Sequence, residues 1–516
     1  MTTTFLNTQA ILGGVFLTLL LLYVKSYRRK PLPPGPKGLP FIGNVLQIPR
    51  QKEWLTYLQW SKTYGDVLHL SIFGRSLVIL NSWKTVNDLL DKRSAIYSDR
   101  PRLVMAGELL GYDQSIPLGH YNERHKESRK ILHQMLGPRQ VTQFHHIEER
   151  ETTAFLSKLL DNPQKFRDHI RNMVCSMILQ VAYGYRPQSE DDHLVNIVNR
   201  GTEDFALASH PGSFAVDFIP WLKYVPSWFP GAGFQRQAKI WRQHVDDMKD
   251  IPYEMVKKQI ASGNYTFSFA SHLLDTKSEI PPEVEDMYKW VITGVYGGGA
   301  DSTVSAIAAF FLAMVLNPDV QKKAQDELDS VVVPNRLPTF SDRDKLPYVE
   351  GLLKEVLRWH PVGPCGLPHR VVQDDVYEGH TIPAGAIIIA NAWALLHDPT
   401  VYPNPEKFDP DRYSQSGTKE NPDLNRDPRA AAFGFGRRSC PGMHLADATL
   451  WASIAFTLST FNITKAVDEA GLAITPTGEF TSSVICHPKT FACQIKPRSL
   501  MAESLVHVTI CHNFGL

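Results

Sequence analysis

A single cysteine ends a glycine-rich loop in the run FGFGRRSCPG, residues 433–442. Pro441 suits the first position of a helix, and Met443, Ala446, Leu450, Ile454 and Leu458 then recur at helical spacing. A thiol at such a terminus meets unsatisfied N–H groups and the positive end of the helix dipole, so its thiolate is favoured. Arg437 and Arg438 add positive charge nearby. Three chemistries stay open for Cys440: a nucleophile, a metal ligand or an inert buried thiol. His444, four residues on, has the spacing to share a metal, but no second ligand pair accompanies it.

A second group of reactive types lies in the apolar run 283–316, where GGG at 297–299 is followed by Ala300, Asp301, Ser302 and Thr303. As a helix this run extends roughly 50 Å. Each interior glycine costs about 1 kcal/mol against alanine, so three together answer a local need. Close approach of a flat ligand, with a distorted helical turn and a charge set in an apolar stretch, is one such need. A helix-packing groove with an incidental acid is the other. Further on, Glu355 and Arg358 stand one helical turn apart in GLLKEVLRWHP and form an i, i+3 ion pair, a pattern usually found on a solvated face.

The elements that carry these residues follow from periodicity. Two β-rich runs flanking Gly74-Arg75 read as a hairpin. Helical signals dominate residues 120–360, short strands and loops follow Pro361, and one strong helix returns after the cysteine. The 516 residues thus form one mainly α domain with a minor β part. With 54 Lys+Arg against 53 Asp+Glu the net charge is +1, far from the basic excess of a nucleic-acid binder. Six scattered cysteines exclude a disulfide scaffold and a zinc site of C-x2-C spacing. Residues 205–231, crowded with aromatics and broken by four prolines, read equally as a lid facing membrane or substrate and as an aromatic loop packed on the core.

The ends have their own logic. Residues 10–24 are uncharged and mostly apolar, and counted from Phe5 the uncharged stretch reaches the roughly 20 residues of a spanning helix. Lys25, Arg28, Arg29 and Lys30 follow, which keeps that flank and the body cytosolic. A cleaved signal peptide is disfavoured, because the charge follows the apolar run and no A-x-A site appears. Residues 1–30 are therefore read as anchor and basic flank, and the proline-rich residues 31–44 as a stiff hinge. Residues 45–499 are the globular domain, and residues 500–516, without a clear period, a tail of unassigned role lacking regular structure.

Taken as a pattern, Phe433, Gly436, Arg438, Cys440 and Gly442 resemble the F-x-x-G-x-R-x-C-x-G haem-binding loop of the cytochrome P450 family. The segment from Gly298 to Thr303 is similar to the family's A/G-G-x-D/E-T-T motif, with Ser302 where threonine is usual. FDPDRY at 408–413 resembles its F-x-P-E-R-F segment, and Arg129 falls on its W-x-x-x-R motif with His125 in place of tryptophan. The resemblance covers roughly residues 31–499 and implies the P450 fold with a single N-terminal transmembrane helix.

It further implies haem b as cofactor, with Cys440 as the axial metal ligand. Gly436 and Gly442 would shape the loop, Phe433 would pack near the thiolate, and Arg438, Arg129, His125 and Arg370 would hold haem propionates. Asp301, Ser302 and Thr303 would serve proton delivery and oxygen reduction. Glu355, Arg358 and Arg412 would form a buried structural charge network. The implied function is a monooxygenase that inserts one atom of O2 into a hydrophobic small molecule. The electrons come from NADPH through NADPH-cytochrome P450 reductase, with cytochrome b5 as an alternative donor, because no G-x-G-x-x-G follows a strand. The rivals are a reductase-independent haem-thiolate isomerase or dehydratase and a non-enzymatic haem protein. The overall likeness is to microsomal fungal members, of the O-methylsterigmatocystin oxidoreductase kind, acting in secondary metabolism or xenobiotic oxidation at the endoplasmic reticulum. Segments 103–118, 205–218, 362–367 and 480–484 would line an apolar substrate pocket.

Overall fold

The computed structural model describes residues 31–514 apart from residues 190, 211, 276–278, 334, 416 and 418–420. The anchor expected over residues 1–30 lies outside the described residues. The proline-rich run is docked rather than free. Pro31 O accepts from Thr381 N at 2.8 Å, Pro34 O from His69 N at 3.0 Å and Pro36 O from Asn44 Nδ2 at 2.8 Å. Prolines lack the N–H but keep the carbonyl, so the run binds as an acceptor strap. Helix α1 (Glu53–Tyr64) leads into the expected hairpin, strands β1 (Val67–Ile72) and β2 (Arg75–Leu80).

The helical body follows as α2 (Glu123–Leu136), α3 (His145–Asp161), α4 (Phe166–Tyr183), α5 (His193–Ser209), α6 (Gly233–Ala261), α7 (Phe269–Asp275), α8 (Pro282–Leu316), α9 (Pro318–Val331) and α10 (Pro347–Trp359). Local chemistry sets their ends. Asn122 Oδ1 accepts from His125 N at 3.0 Å to cap α2, Asp192 caps α5 through Leu194 N and Val195 N, and proline opens α8, α9 and α10. Among the described residues α8 alone is long and apolar enough to cross a membrane, with a mean hydropathy of 1.7 over its best 18 residues, yet 78% of that window is buried inside the domain. It packs against α2, α4, α6 and α10, and a helix that is apolar on every side belongs in such a core.

Strands β3 (His369–Arg370), β4 (Asp375–Tyr377), β5 (His380–Ile382) and β6 (Ile387–Ala390) precede α11 (Met443–Thr460), which is followed by β7 (Phe461–Val467), β8 (Ala473–Ile474), β9 (Cys493–Pro497) and α12 (Leu500–Phe514). A four-stranded sheet runs β1-β2-β6-β3, with β2 and β6 parallel. The remaining strands form a two-stranded sheet and the three-stranded order β8-β7-β9. The architecture is mainly helical with a minor sheet, as expected.

Three expectations change. The helix after the cysteine begins at Met443 with Gly442 as its cap, two residues later than Pro441 suggested. The C-terminal tail is helix α12, since Ser499 Oγ caps it through Ala502 N at 3.1 Å and Ala502, Val506 and Ile510 turn one face onto the core. The aromatic stretch divides. Phe214 packs edge-on to Trp241 and buried Asp217 accepts from Val104 N and Met105 N, whereas Trp221, Tyr224, Trp228 and Phe229 are exposed.

His360, His369 and His397 are buried in this core, and burial first of all pushes each down to about 3. The unfolded chain protonates them below about pH 6.5, so it binds more protons than the fold and stability falls as pH drops through that window. Denaturant unfolding between about pH 5.5 and 4 is expected to lose roughly 1.4 kcal/mol per pH unit for each histidine. His397→Gln should reduce that slope by about one proton.

Candidate active site

The cysteine loop is shaped by its backbone. Phe433 O accepts from Cys440 N at 2.7 Å, closing the loop. Gly436 has φ +55°, and a Cβ there would lie 2.0 Å from Leu90 O, so no other residue fits. Cys440 lies deep in the domain, enclosed by protein, yet its surface is open. The thiol therefore looks onto interior space. Burial raises it above its ordinary range, against the opposing pull of the Gly442 N–H and the Arg129 charge. That differs from the expectation for Arg437 and Arg438. Arg437 is exposed and donates to the Tyr121 hydroxyl at 2.7 Å, while Arg438 is buried and donates to Ser98 O, Ile116 O and Gly119 O at 2.6, 2.9 and 2.7 Å.

Around His125 the structure gathers positive charge. Both ring nitrogens are buried without a hydrogen-bond partner among the described residues. Burial, then the charges of Arg438, Arg129 and Arg100, push this imidazole down to about 3. Arg129 donates to Ser439 O. Arg100, which sequence reasoning passed over, donates to Leu367 O and Pro368 O, both at 2.7 Å, and its Nε is buried without a partner. Burial and Arg438 lower Arg100 to about 9. Asp99, nearby, is also new, and it is held by Arg370 Nε at 2.9 Å, by Tyr121 N at 2.9 Å and by His120 Nδ1 at 3.0 Å. Arg370 is thus committed to Asp99. The cluster keeps a surplus of buried positive charge, which is costly unless an anion pairs with it.

Helix α8 runs unbroken through its glycines, without the distorted turn expected. A methyl on Gly297 or Gly298 would meet nothing within 4 Å, whereas one on Gly299 would meet Ile178 Cδ1 at 2.9 Å. Two glycines thus face open space and the third packs on α4. Ser302 Oγ donates to Gly298 O at 2.9 Å. Asp301 Oδ2 lies 3.1 Å from His487 Nε2, and its Oδ1 lies 3.9 Å from Arg171 Nη2. Burial raises the Asp301 carboxyl, but His487 and Arg171 outweigh it and hold the group below its ordinary value. Thr303 is buried in the core, about 200° around the helix from Asp301, and Ser302 lies about 100° from each.

The charge network has the expected members. Arg358 Nε and Nη2 donate to Glu355 at 2.8 and 2.9 Å, and Arg412 Nε donates to the same carboxylate at 3.1 Å. Asp409 N and the Tyr413 hydroxyl also donate to it, at 2.8 and 3.2 Å. Arg358 and Glu355 have no exposed surface at all. The bonds tie α10 to residues 409–413, which precede the cysteine loop.

Comparison with known proteins decides the family, since the model described as cytochrome P450 matches residues 33–493. The chain belongs to the cytochrome P450 family. It is 43% identical over 503 residues to cytochrome P450 monooxygenase claR of Ampulloclitocybe clavipes, covering 97% of this chain and 92% of that protein. It is 41% identical over 482 residues to tryptamine 4-monooxygenase of Psilocybe cyanescens, covering 92% and 94%. It is also 41% identical over 484 residues to cytochrome P450 monooxygenase ppsD of Aspergillus oryzae, covering 92% and 91%. These names make the P450 an oxidoreductase that incorporates molecular oxygen, and they favour that reading over the isomerase and the non-enzymatic haem protein.

The family's cofactor is haem, its iron held by a cysteine thiolate. The residues present fit it. Haem brings two carboxylates to a cluster that has surplus buried cations, and its iron accepts a thiolate of the kind an enclosed, open-faced cysteine provides. Because the loop is positioned through Glu355, Glu355→Gln is expected to cost this P450 about 3–5 kcal/mol by stranding two buried guanidiniums. Denaturant unfolding of the purified protein would measure it, with Arg412→Lys losing less.

Proposed function

We propose that this P450 is a membrane-bound monooxygenase in which Cys440 is the axial thiolate and the interior spaces beside Cys440 and beside Gly297 and Gly298 are one haem crevice. The observation that carries this is the open thiol next to a buried cationic cluster with too few anions. Haem, when bound, supplies the activation of dioxygen and insertion of one oxygen atom into the substrate. Arg438, Arg129, His125 and Arg100 hold its propionates, with Arg370 joined to them through Asp99. Phe433 packs beside the thiolate. The open glycines of α8 admit a flat ring close to the helix.

Asp301, held below the ordinary carboxyl range, is ionised at neutral pH. It accepts protons from the solvent side and passes them through the Ser302 hydroxyl toward the open side of α8. To act there Ser302 must turn its O–H away from Gly298 O. Lacking threonine's methyl, it turns freely in both directions.

Electrons arrive from NADPH through a separate reductase, with cytochrome b5 as an alternative donor, on the face of exposed Arg437. The substrate is a hydrophobic small molecule. Residues 1–30 anchor the chain in the endoplasmic reticulum with the domain in the cytosol, and a surface face supports that placement. Phe41, 96% exposed, precedes Ile42, whose O accepts from Phe73 N. The Phe73 ring meets Phe218 at 5.5 Å, and Trp221, Tyr224 and Trp228, which follow Phe218 closely in the chain, are exposed. Aromatic residues of this kind settle at a membrane interface.

The reduced carbon monoxide difference spectrum of the purified protein is expected to show a strongly red-shifted Soret band that Cys440→Ala abolishes; a histidine-like band in the wild type would end the reading. Ser302→Thr is expected to lower peroxide released per NADPH consumed, and an unchanged ratio would remove Ser302 from proton transfer.

A further inference from the structure

Beside the Asp301 face of α8 lies a cavity of about 110 Å³, lined by Arg167, Asp168 and Arg171 of α4, Val304 and Ala308 of α8, and His487. It has room for several water molecules and the polar groups to hold them. Asp168 and Arg171 are exposed. Two of its lining groups touch Asp301, His487 at 3.1 Å and Arg171 at 3.9 Å. His487 is fixed there independently of that contact. Its own N donates to Thr481 Oγ1 at 2.9 Å, Cys486 N donates to Val362 O at 2.8 Å, and Ser305 of α8 donates to Cys486 O. The ring's other nitrogen, Nδ1, has no protein partner among the described residues.

The geometry points to a proton inlet in which the His487 imidazole relays protons from water in this cavity to Asp301. It rests on the reading of Asp301 as the group that passes protons toward the open side of α8. In each transfer a cavity water gives a proton to Nδ1 and takes one from bulk solvent, while Nε2 loses its own to Asp301 Oδ2, so the water and the ring both end neutral. Rotation of the ring, or return of the proton through water, restores the starting tautomer. The charged groups that face the ring are Asp301 from α8 and Arg167, Asp168 and Arg171 from α4. His487 acts through Asp301 and is a positioning residue.

The test uses the full-length holoenzyme with its reductase, comparing wild type, His487→Gln, Ala308→Leu and Asp301→Asn. Glutamine keeps an N–H toward Asp301 but carries no proton. His487→Gln is expected to lower kcat about tenfold, leave KM and the carbon monoxide spectrum unchanged and raise the solvent isotope effect. Ala308→Leu, which fills the cavity and keeps the imidazole, should lower kcat in the same way and decides the matter if His487→Gln folds poorly. The Asp301 carboxyl infrared band, assigned by its loss in Asp301→Asn, should remain that of an ionised carboxylate at neutral pH in His487→Gln, because the glutamine N–H and Arg171 still face it, which separates loss of the relay from loss of the Asp301 charge. Unchanged kcat and isotope effect in both His487→Gln and Ala308→Leu, beside a slow Asp301→Asn, would overturn the inlet and leave the role of Asp301 standing. An unaffected Asp301→Asn would overturn both.

Discussion

Helix α10 carries two carboxylates that fasten the reactive loop from both sides. Glu355, without solvent contact, takes Arg358 from its own helix and Arg412 from the segment before the loop. One and a half turns earlier, Glu350 pairs with Arg343 and with Arg429, and those two arginines also share Asp447 on α11. Arg429 opens the short turn that runs into Phe433, so the stretch that presents Cys440 is suspended between α10 and α11. Such charges do not add stability in proportion to their number, because each has been taken from water. What they add is geometric. A carboxylate that must satisfy two guanidiniums and a backbone N–H tolerates few other arrangements of the chain around it.

On the other side of the cysteine the electrostatics are reversed. The loop is closed by backbone bonds, and Arg438 sits on carbonyl groups, so positive charge gathers around His125, with Arg129 alone of these cations acting on the thiol and little to neutralise it. A dianionic cofactor and a negatively charged axial ligand are both accommodated by that field. The same field works against the apoprotein, which must bury uncompensated cations. Cofactor and fold are therefore coupled through charge as well as through the iron.

Much of this was legible in the residues. The hairpin around Gly74, the long α8, the Glu355 and Arg358 pair and the cysteine loop are each set by local spacing or by side chains close in sequence, and they stand where the sequence placed them. The residues that were passed over share a cause as well. Arg100, Asp99 and His487 belong to loops and short strands, and their meaning depends on partners roughly 20 to 270 residues away. No period announces such contacts. Thr303 lies apart from Asp301 for a simpler reason, since successive helical residues point about 100° apart and a motif written along the chain does not show which of its members share a face. Helix α12 did have its signals, a capping serine and apolar residues at every fourth position, but its outward face is apolar too, with Leu500, Met501 and Val508 exposed, and this blurred the period.

The sheet gives the assembly of the chain a history. Strand β2 is bonded on one side to its hairpin partner and on the other, in parallel, to β6, with the paired residues about 310 positions apart. During synthesis the hairpin emerges first, and one edge of a strand rich in leucine, valine and isoleucine then waits while the whole helical body is made. Contacts this remote are slow to form, and an open apolar edge is the kind that recruits neighbouring chains. The docked proline strap along β1 shields the other margin of the hairpin from the outset, since it lies only some 35 residues upstream. The vulnerable interval in the life of this protein is thus the time between residue 80 and residue 390 leaving the ribosome.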